Sequence, residues 1–232
     1  KVLLSYFDPS TKVRWEEIVT PISFWEENYL AYERWIKRCE FIVDSVSGGR
    51  VGYVHVEGMD SPSFRKVFDK VLGKLNKREA LIVDTRFNGG GWLHDDLATF
   101  LSGKIYMQFE PRGQKNMGGE PIWKWQKPSC VLMSEGNYSD AHLFPVTYKA
   151  LNIGPLIGMP VPGTGTAVWW ERMIDGATVF GIPQVGMRSV SEGYLVENKE
   201  LQPDIKVQND YTEFLKGNDQ QLIRAVQEMM KK

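Results

Sequence analysis

The sequence predicts an α/β domain in which helices pack on a largely parallel sheet, with a short two-stranded segment in front of it. From Arg50 onward, short apolar strands alternate with amphipathic helical stretches, and several of these helices end at a glycine. Regular alternation of strands and helices is typical of a parallel sheet covered by helices. The composition agrees, because 232 residues with 42% hydrophobic and 25% charged residues can bury a full core.

The chain before this pattern divides into two parts. Residues 1–22 contain two strand-like runs joined by the turn residues Asp8-Pro9-Ser10, and such a hairpin is marginal on its own. Residues 23–47 carry aromatic and apolar residues at helical intervals and precede a pair of glycines, which indicates a connecting helix or linker. We therefore expect a hairpin segment at 1–22, a linker at 23–47 and a main domain at 48–232.

The main domain is predicted to alternate between the two element types. In chain order these are residues 50–59 (strand), 61–76 (helix), 79–91 (strand and triple glycine), 92–104 (helix), 129–135 (strand), 139–154 (helix), 155–161 (strand) and 217–232 (amphipathic helix). Ser61 is the expected N-cap of the first helix, with Pro62 at its first position, and Gly103 is the expected C-cap of the second. Parallel sheets bind ligands beyond the carboxyl ends of their strands, so we expect a site at loops 88–91 and 136–140.

Charge and hydropathy exclude several classes of partner. Twenty-eight basic and 29 acidic residues give a net charge of −1, which provides no electrostatic footprint for nucleic acid or an anionic membrane. No apolar run approaches the roughly 20 residues that span a bilayer, and the first residues do not form a signal peptide, so an export signal would lie upstream. Cys39 and Cys130 lack metal-ligand spacing, and we predict neither a metal site nor a disulfide framework.

Loop 136–140 supplies a candidate nucleophile. Acyl transfer needs a nucleophile on a constrained strand-to-helix turn, with N–H donors for the developing oxyanion. Ser139 stands at a predicted helix start, where free N–H groups and the helix dipole stabilise negative charge, and the Asp140 N–H is a natural oxyanion donor. Gly91 is a second candidate donor, because no Cβ blocks close approach. Taken alone, these residues also fit a plain N-cap and a plain turn.

Three histidines are available as candidates for the general base. His55 lies on a strand and fits a structural role, and His94 fits a solvated helix residue. His142 follows Ser139 by three residues on the same helix face and is the one local candidate for the base. A side chain this close in sequence, however, points along the helix and seldom reaches the Ser139 Oγ.

Acidic and aromatic clusters fit structural roles. The pair Asp95-Asp96 fits favourable charges near a helix N-terminus better than a paired-carboxylate site, and we propose no metal there. Four tryptophans are expected to pack in the core rather than line a groove: Trp123, Trp125, Trp169 and Trp170.

Five motifs in order resemble those of the tail-specific, or C-terminal processing, serine peptidases of family S41. They are GRVGYVHVEGM, LIVDTRFNGGGW, VLMSEGNYSDA, IDGATVFGIP and VENKELQPDI, and they span roughly residues 48 to 210. The chain most resembles the tricorn core-protease branch, because the branch with a Ser–Lys dyad has a lysine where this chain has Gly163-Thr164-Gly165. The resemblance implies a ClpP/crotonase-like core, with residues 1–22 as the last strands of a PDZ-like domain.

The resemblance also implies roles for single residues. Ser139 matches the nucleophile, Gly91 and Asp140 match the oxyanion residues, and Glu197 matches a glutamate that supports the base histidine. In the family that histidine and a second serine lie upstream of the PDZ domain, so we expect this chain to lack them. The implied reaction is hydrolysis of polypeptides near their C-termini, with no cofactor. Expected partners are the polypeptide and further copies of the chain in a homo-oligomer, and the favoured location is extracytoplasmic, in a bacterial periplasm.

Two other function classes stay open at this point. Non-catalytic ligand- or peptide-binding modules share this architecture, and so do crotonase-like acyl-CoA enzymes. The joint presence of Ser139, Asp140, Gly91 and Glu197 favours a peptidase over a binding module.

Overall fold

A computed structural model describes residues 1–115, 117–190 and 192–231. The chain forms two compact units, an N-terminal unit (Lys1–Arg38) and a main unit (Cys39–Lys232). The N-terminal unit holds the antiparallel strands β1 (Val2–Phe7) and β2 (Arg14–Val19), so the hairpin expected there is present. Helix α1 (Phe24–Ser47) follows and runs on into the main unit. The division at 1–22, 23–47 and 48–232 stays a prediction.

The main unit alternates strands and helices along the chain. Its elements are β3 (Val51–His55), α2 (Ser61–Leu72), β4 (Ala80–Asp84), α3 (His94–Ser102), β5 (Met107–Gln108), β6 (Gly119–Glu120), β7 (Ser129–Met133), α4 (Asp140–Ala150), β8 (Leu156–Gly158), β9 (Thr166–Arg172), β10 (Val179–Gly186), β11 (Ile205–Lys206), α5 (Tyr211–Leu215) and α6 (Gln220–Met229). Five strands form one sheet in the order β11-β8-β7-β4-β3, with every neighbouring pair parallel. The α/β class with a parallel central sheet is therefore confirmed.

The core lies between this sheet and the helices that follow its strands. Strands β4 and β7 are buried along their whole length, as their uninterrupted apolar sequences require in a sheet covered on both faces. One cluster combines β3, β4 and β7 with side chains of α2, α3 and α4, such as Val67, Leu97 and Phe144. Helix α6 packs against β4, β7 and β8, and its buried residues include Leu222 and Val226. The amphipathic helix expected near the C-terminal end is therefore present, and it packs on the central sheet.

The expected N-cap of α2 is wrong by one residue. Asp60 caps the helix, because its carboxylate accepts a hydrogen bond from the Ser63 N–H at 2.8 Å and its backbone is extended. Ser61 is already helical and cannot take the cap position, which needs non-helical dihedrals. Gly103 does end α3, with a left-handed φ of 59°.

Three of the four tryptophans expected in the core are exposed. Trp125 is buried, but Trp123, Trp169 and Trp170 have 64%, 58% and 66% of their surface exposed. Trp169 and Trp170 lie on β9, which forms a two-stranded ribbon with β10, and within the described residues this ribbon joins no larger sheet. The residue pattern around Trp169 and Trp170 is typical of a strand, and β9 is present, but the pattern does not show whether other residues pack on that strand.

Across the described ranges, no helix is both long enough and apolar enough to pass through a bilayer.

Candidate active site

The two loops singled out in the sequence leave the sheet side by side. Strands β4 and β7 are adjacent and parallel, with Asp84 opposite Leu132, so the chain leaves both at the same edge. The loops are joined there by hydrogen bonds. The Tyr138 N–H donates to the Asn88 carbonyl at 3.0 Å, and the Asn137 side-chain amide donates to the Thr85 hydroxyl at 2.9 Å.

Ser139 occupies the sharp turn between β7 and α4. Its φ of 55° and ψ of −121° lie in a region that non-glycine residues rarely adopt, at a cost of about 1–3 kcal/mol. Its side chain makes no capping hydrogen bond to α4, so the plain N-cap reading does not describe this serine. The Ser139 N–H donates to the Thr164 hydroxyl at 3.0 Å. A half-buried serine on a strained strand-to-helix turn has the setting of a nucleophile elbow.

Glycines lie against this turn. A Cβ added to Gly90 would lie 2.7 Å from the Ser139 Cβ and 3.1 Å from the Asp140 nitrogen, and the φ of Gly90 is 99°. Gly91 is held on its other side by Met59, whose carbonyl oxygen would lie 2.0 Å from an added Cβ. Such close backbone approach leaves room for glycine alone.

Two backbone donors remain open beside Ser139. Asp140 is the first residue of α4, so its N–H has no partner within the helix. In the described part of the chain, neither this N–H nor that of Gly91 donates to a protein acceptor. The predicted oxyanion residues thus have backbone donors available next to the predicted nucleophile. Their roles stay a prediction.

The side chain of Asp140 faces the other loop. Its Oδ2 accepts hydrogen bonds from the N–H groups of Leu93 at 2.6 Å and His94 at 3.0 Å, and its Oδ1 contacts His94 Nδ1 at 2.5 Å. The expectation of a solvated His94 is therefore wrong, because Asp140 binds it from 46 residues away. This hydrogen bond raises the pKa of His94 above its ordinary value, against the opposing effect of burial. No local sequence signal would have revealed this pair.

The structure does not join His142 to Ser139 through their side chains. His142 is buried, and its Nδ1 accepts a hydrogen bond from the Thr164 N–H at 3.3 Å. Burial lowers its pKa, opposed by the nearby Glu197 carboxylate. Among the residues at 1–115, 117–190 and 192–231, no histidine forms a hydrogen bond with Ser139 Oγ. His55, at the end of β3, is half-buried, and burial lowers its pKa as well.

Glu197 lies at the same cleft as Ser139. Its carboxylate accepts a hydrogen bond from the Thr166 hydroxyl at 2.7 Å, and the residue is half-buried rather than a solvated charge. The cleft has a volume of about 660 Å³, within the range of roughly 300–1,000 Å³ that is common for ligand sites. Its lining includes Gly91, Trp92, Tyr138, Ser139, Asp140, Leu143, Thr164, Thr166, Val168, Trp170, Pro183 and Glu197.

Sequence reasoning missed the threonines and the ribbon that complete this cleft. Thr164 lies between Gly163 and Gly165, and Thr166 follows them, in the stretch whose lack of a lysine separates this chain from the Ser–Lys branch. The β9–β10 ribbon turns near Asp175-Gly176, a dipeptide that favours hairpin turns and could have indicated it. In the parts of the chain with described coordinates, no three His, Cys, Asp or Glu residues cluster in a way that could hold a metal ion.

The family model described as peptidase family S41 matches residues 50–207. The chain belongs to peptidase family S41. Its resemblance to the tricorn-like branch is confirmed as well, since relatives include the tricorn protease of Thermoplasma volcanium, 26% identical over 87% of this chain, and tricorn protease homolog 1 of Streptomyces coelicolor, 29% identical over 90%.

The chain spans about a fifth of the length of these S41 relatives, 19% in both cases. Among solved structures, that of the tricorn protease has a TM-score of 0.75 at 23% identity and covers 95% of this chain and 22% of its own. The structure of mature CPAF has a TM-score of 0.60 at 16% identity and covers 76% of this chain and 50% of its own. At these identities the two structures show that the fold is shared.

Proposed function

We propose that this chain carries the nucleophile and the oxyanion hole of a serine peptidase that hydrolyses polypeptides near their C-termini. The observation that carries the proposal is the setting of Ser139. Its strained turn leaves Oγ without a capping bond, beside two backbone N–H groups without acceptors in the described residues, in a cleft of ligand size. Membership of S41 and similarity to proteins named as proteases support the same reaction.

In the proposed mechanism Ser139 Oγ attacks the scissile carbonyl carbon and loses its proton to a base histidine. The carbonyl oxygen becomes an oxyanion that accepts hydrogen bonds from the N–H groups of Gly91 and Asp140. The histidinium then protonates the leaving amine, and an acyl-enzyme forms. Water, deprotonated by the same histidine, releases the C-terminal carboxylate of the acyl fragment and restores Ser139.

We assign the base histidine to a part of the protein outside this chain. The three histidines here have other surroundings: His94 binds Asp140, His142 accepts from Thr164, and His55 ends β3. The relatives are about five times as long, which leaves ample sequence for a second half of the site. Glu197, held by Thr166, is placed at the cleft where its negative charge would stabilise and orient an incoming histidinium.

The finer architecture belongs to the same proposal. The core would be of the ClpP/crotonase type, and residues 1–22 would be the last strands of a PDZ-like domain that binds substrate C-termini. The β1–β2 hairpin supports the PDZ-like strands, and the S41 match over residues 50–207 supports the assignment of the core. Assembly as a homo-oligomer and a periplasmic location are further expectations drawn from that resemblance.

A non-catalytic peptide-binding module is the second candidate. It is favoured by one observation, that no histidine in the described residues contacts Ser139 Oγ.

Covalent labelling separates the two candidates. The full-length protein treated with a fluorophosphonate probe should be labelled at Ser139, and Ser139→Ala should abolish the label. Ser102→Ala, which changes a serine at the end of α3, serves as the matched control and should leave labelling intact. Absence of labelling in the full-length protein would contradict the peptidase and favour the binding module.

A further inference from the structure

We propose that His94 is a positioning residue for the oxyanion hole and acts through the side chain of Asp140. The inference rests on the proposed function, since it concerns the two backbone donors of that site. His94 itself does not line the cleft, and its Nδ1 is occupied by Asp140. It therefore acts on the reaction through another residue and not as the base.

Asp140 connects the two backbone donors physically. Its own N–H is one donor, at the start of α4, while its carboxylate binds residues 93 and 94 of the opposite loop. Gly91, which supplies the other donor, precedes Leu93 by only two residues. A single side chain thus sets the separation between the two N–H groups that are to share one oxyanion. If either loop moves, the Asp140 side chain transmits the movement to the other loop, and the distance between the N–H groups of Gly91 and Asp140 changes.

Helix capping alone does not require His94. The N–H groups of Leu93 and His94 both bind Oδ2 of Asp140, and Leu93 at the N-cap has no polar side chain with which to cap the helix itself. Oδ1 is bound by His94 Nδ1. Because the terminal torsion of an aspartate is soft, a carboxylate held through one oxygen can rotate, whereas one held through both cannot. His94 is therefore the residue that fixes the orientation of the Asp140 side chain.

The imidazole is itself held in place. The Trp92 ring packs against it edge-on, with centroids 5.9 Å apart and an interplanar angle of 74°. Only 15% of the His94 side chain is exposed. Charge also favours the contact, since a hydrogen bond donated to a carboxylate is stronger than one between two neutral groups.

The test compares His94→Leu with His94→Asn in the full-length protein, with peptide hydrolysis as the readout. Leucine removes the donor to Oδ1, and we expect kcat to fall about 10- to 100-fold, less than the 10²- to 10³-fold typical for deletion of a whole oxyanion donor. KM should stay within about twofold, because misaligned donors act on the transition state. Asparagine places an N–H near the position of Nδ1 and should restore most of kcat. Wild-type kcat in His94→Leu, or equal losses in both variants, would overturn the proposal.

A second measurement does not depend on peptidase activity. Hydrogen–deuterium exchange by mass spectrometry should show faster amide exchange in peptides covering residues 89–94 and 139–143 in His94→Leu, and near wild-type exchange in His94→Asn. Unchanged exchange in His94→Leu would overturn the positioning role. If the wild-type protein is not labelled at Ser139, the proposed function fails on that result, while the exchange data still decide whether His94 orders the two loops.

Discussion

At the scale of single residues, the site depends on backbone conformations that few side chains permit. Ser139 has a φ of 55°, and the facing Gly90 has a φ of 99° and lies against Ser139. The strain at Ser139 is tolerated because the surrounding bonds hold the turn, including those from Tyr138 to Asn88 and from Ser139 to Thr164. The three consecutive glycines are therefore not equivalent, and each can be tested separately.

Gly90→Ala should inactivate the site, whereas Gly89→Ala should not. A Cβ on Gly90 would lie 2.7 Å from the Ser139 Cβ and 2.8 Å from the Tyr138 carbonyl oxygen, so the loops must move apart. Displacement of a reacting group by about 1 Å can cost roughly 100-fold in rate, and we expect a loss of that order in fluorophosphonate labelling.

Gly89 is the matched control, because a Cβ there has no atom within 4 Å and its φ is not left-handed. Gly89→Ala should therefore change the labelling rate by far less than Gly90→Ala does. Equal labelling rates for the two variants would show that the contact between Gly90 and Ser139 is unimportant.

At the scale of elements, two helices of the main unit are capped in different ways. Helix α2 is capped locally by Asp60, from the residue directly before it. Helix α3 has the apolar Leu93 at its N-cap and is capped by Asp140, which comes 47 residues later at the start of α4. A local cap can be read from sequence to within a residue, but a cap donated by another element cannot, because it exists only once the two loops meet.

Asp60→Ala should destabilise the chain by about 1 kcal/mol, the usual cost of losing an N-cap side chain. Ser61→Ala is the matched control, since Ser61 is the first helical residue and does not cap, and its cost should stay within about 0.5 kcal/mol. Urea denaturation midpoints of the two variants and the wild type measure the difference. A larger loss for Ser61→Ala would place the cap at Ser61 after all.

At the scale of the whole molecule, a buried ion network joins the C-terminal helix to the central sheet. Arg86, 1% exposed, follows β4 and pairs with Asp84 at 2.7 Å and with Asp219 at 2.8 Å. Tyr53 donates to Asp84 at 2.9 Å, and Arg86 also donates to Gln221 at 3.1 Å. Buried charges are tolerated when they are paired and fully hydrogen-bonded, and this network meets that condition. Its members Arg86 and Asp219 lie 133 residues apart in the sequence.

Asp219→Asn should destabilise the chain by about 3 kcal/mol, because it removes one of two carboxylates that neutralise a buried guanidinium. Asparagine keeps an oxygen for the Leu222 N–H, so the cap of α6 persists and the loss reports on the charge. Glu228→Gln removes a partly exposed partner of Arg224 and Lys231 and should cost about 0.5 kcal/mol or less. Similar denaturation midpoints for the two variants would show that the network adds little to stability.

From the sequence we predicted the alternation of strands and helices from Arg50 to β8, the parallel sheet and the two loops that carry Gly91 and Ser139. These follow from periodicity, glycine placement and strand-to-helix transitions, which depend on residues close together in the chain. The resemblance to S41 added Glu197, which composition alone would have dismissed as a solvated charge.

Contacts between side chains that are distant in sequence depend on the tertiary structure. His94 with Asp140, Thr164 with Ser139, and Arg86 with Asp219 are separated by 46, 25 and 133 residues, and no local pattern encodes these contacts. The exposure of Trp169 and Trp170 also depends on tertiary structure, since in the described part of the chain the ribbon that carries them joins no larger sheet. Local propensity specifies an element, whereas hydrogen bonds and burial between distant segments exist only after those segments have packed together.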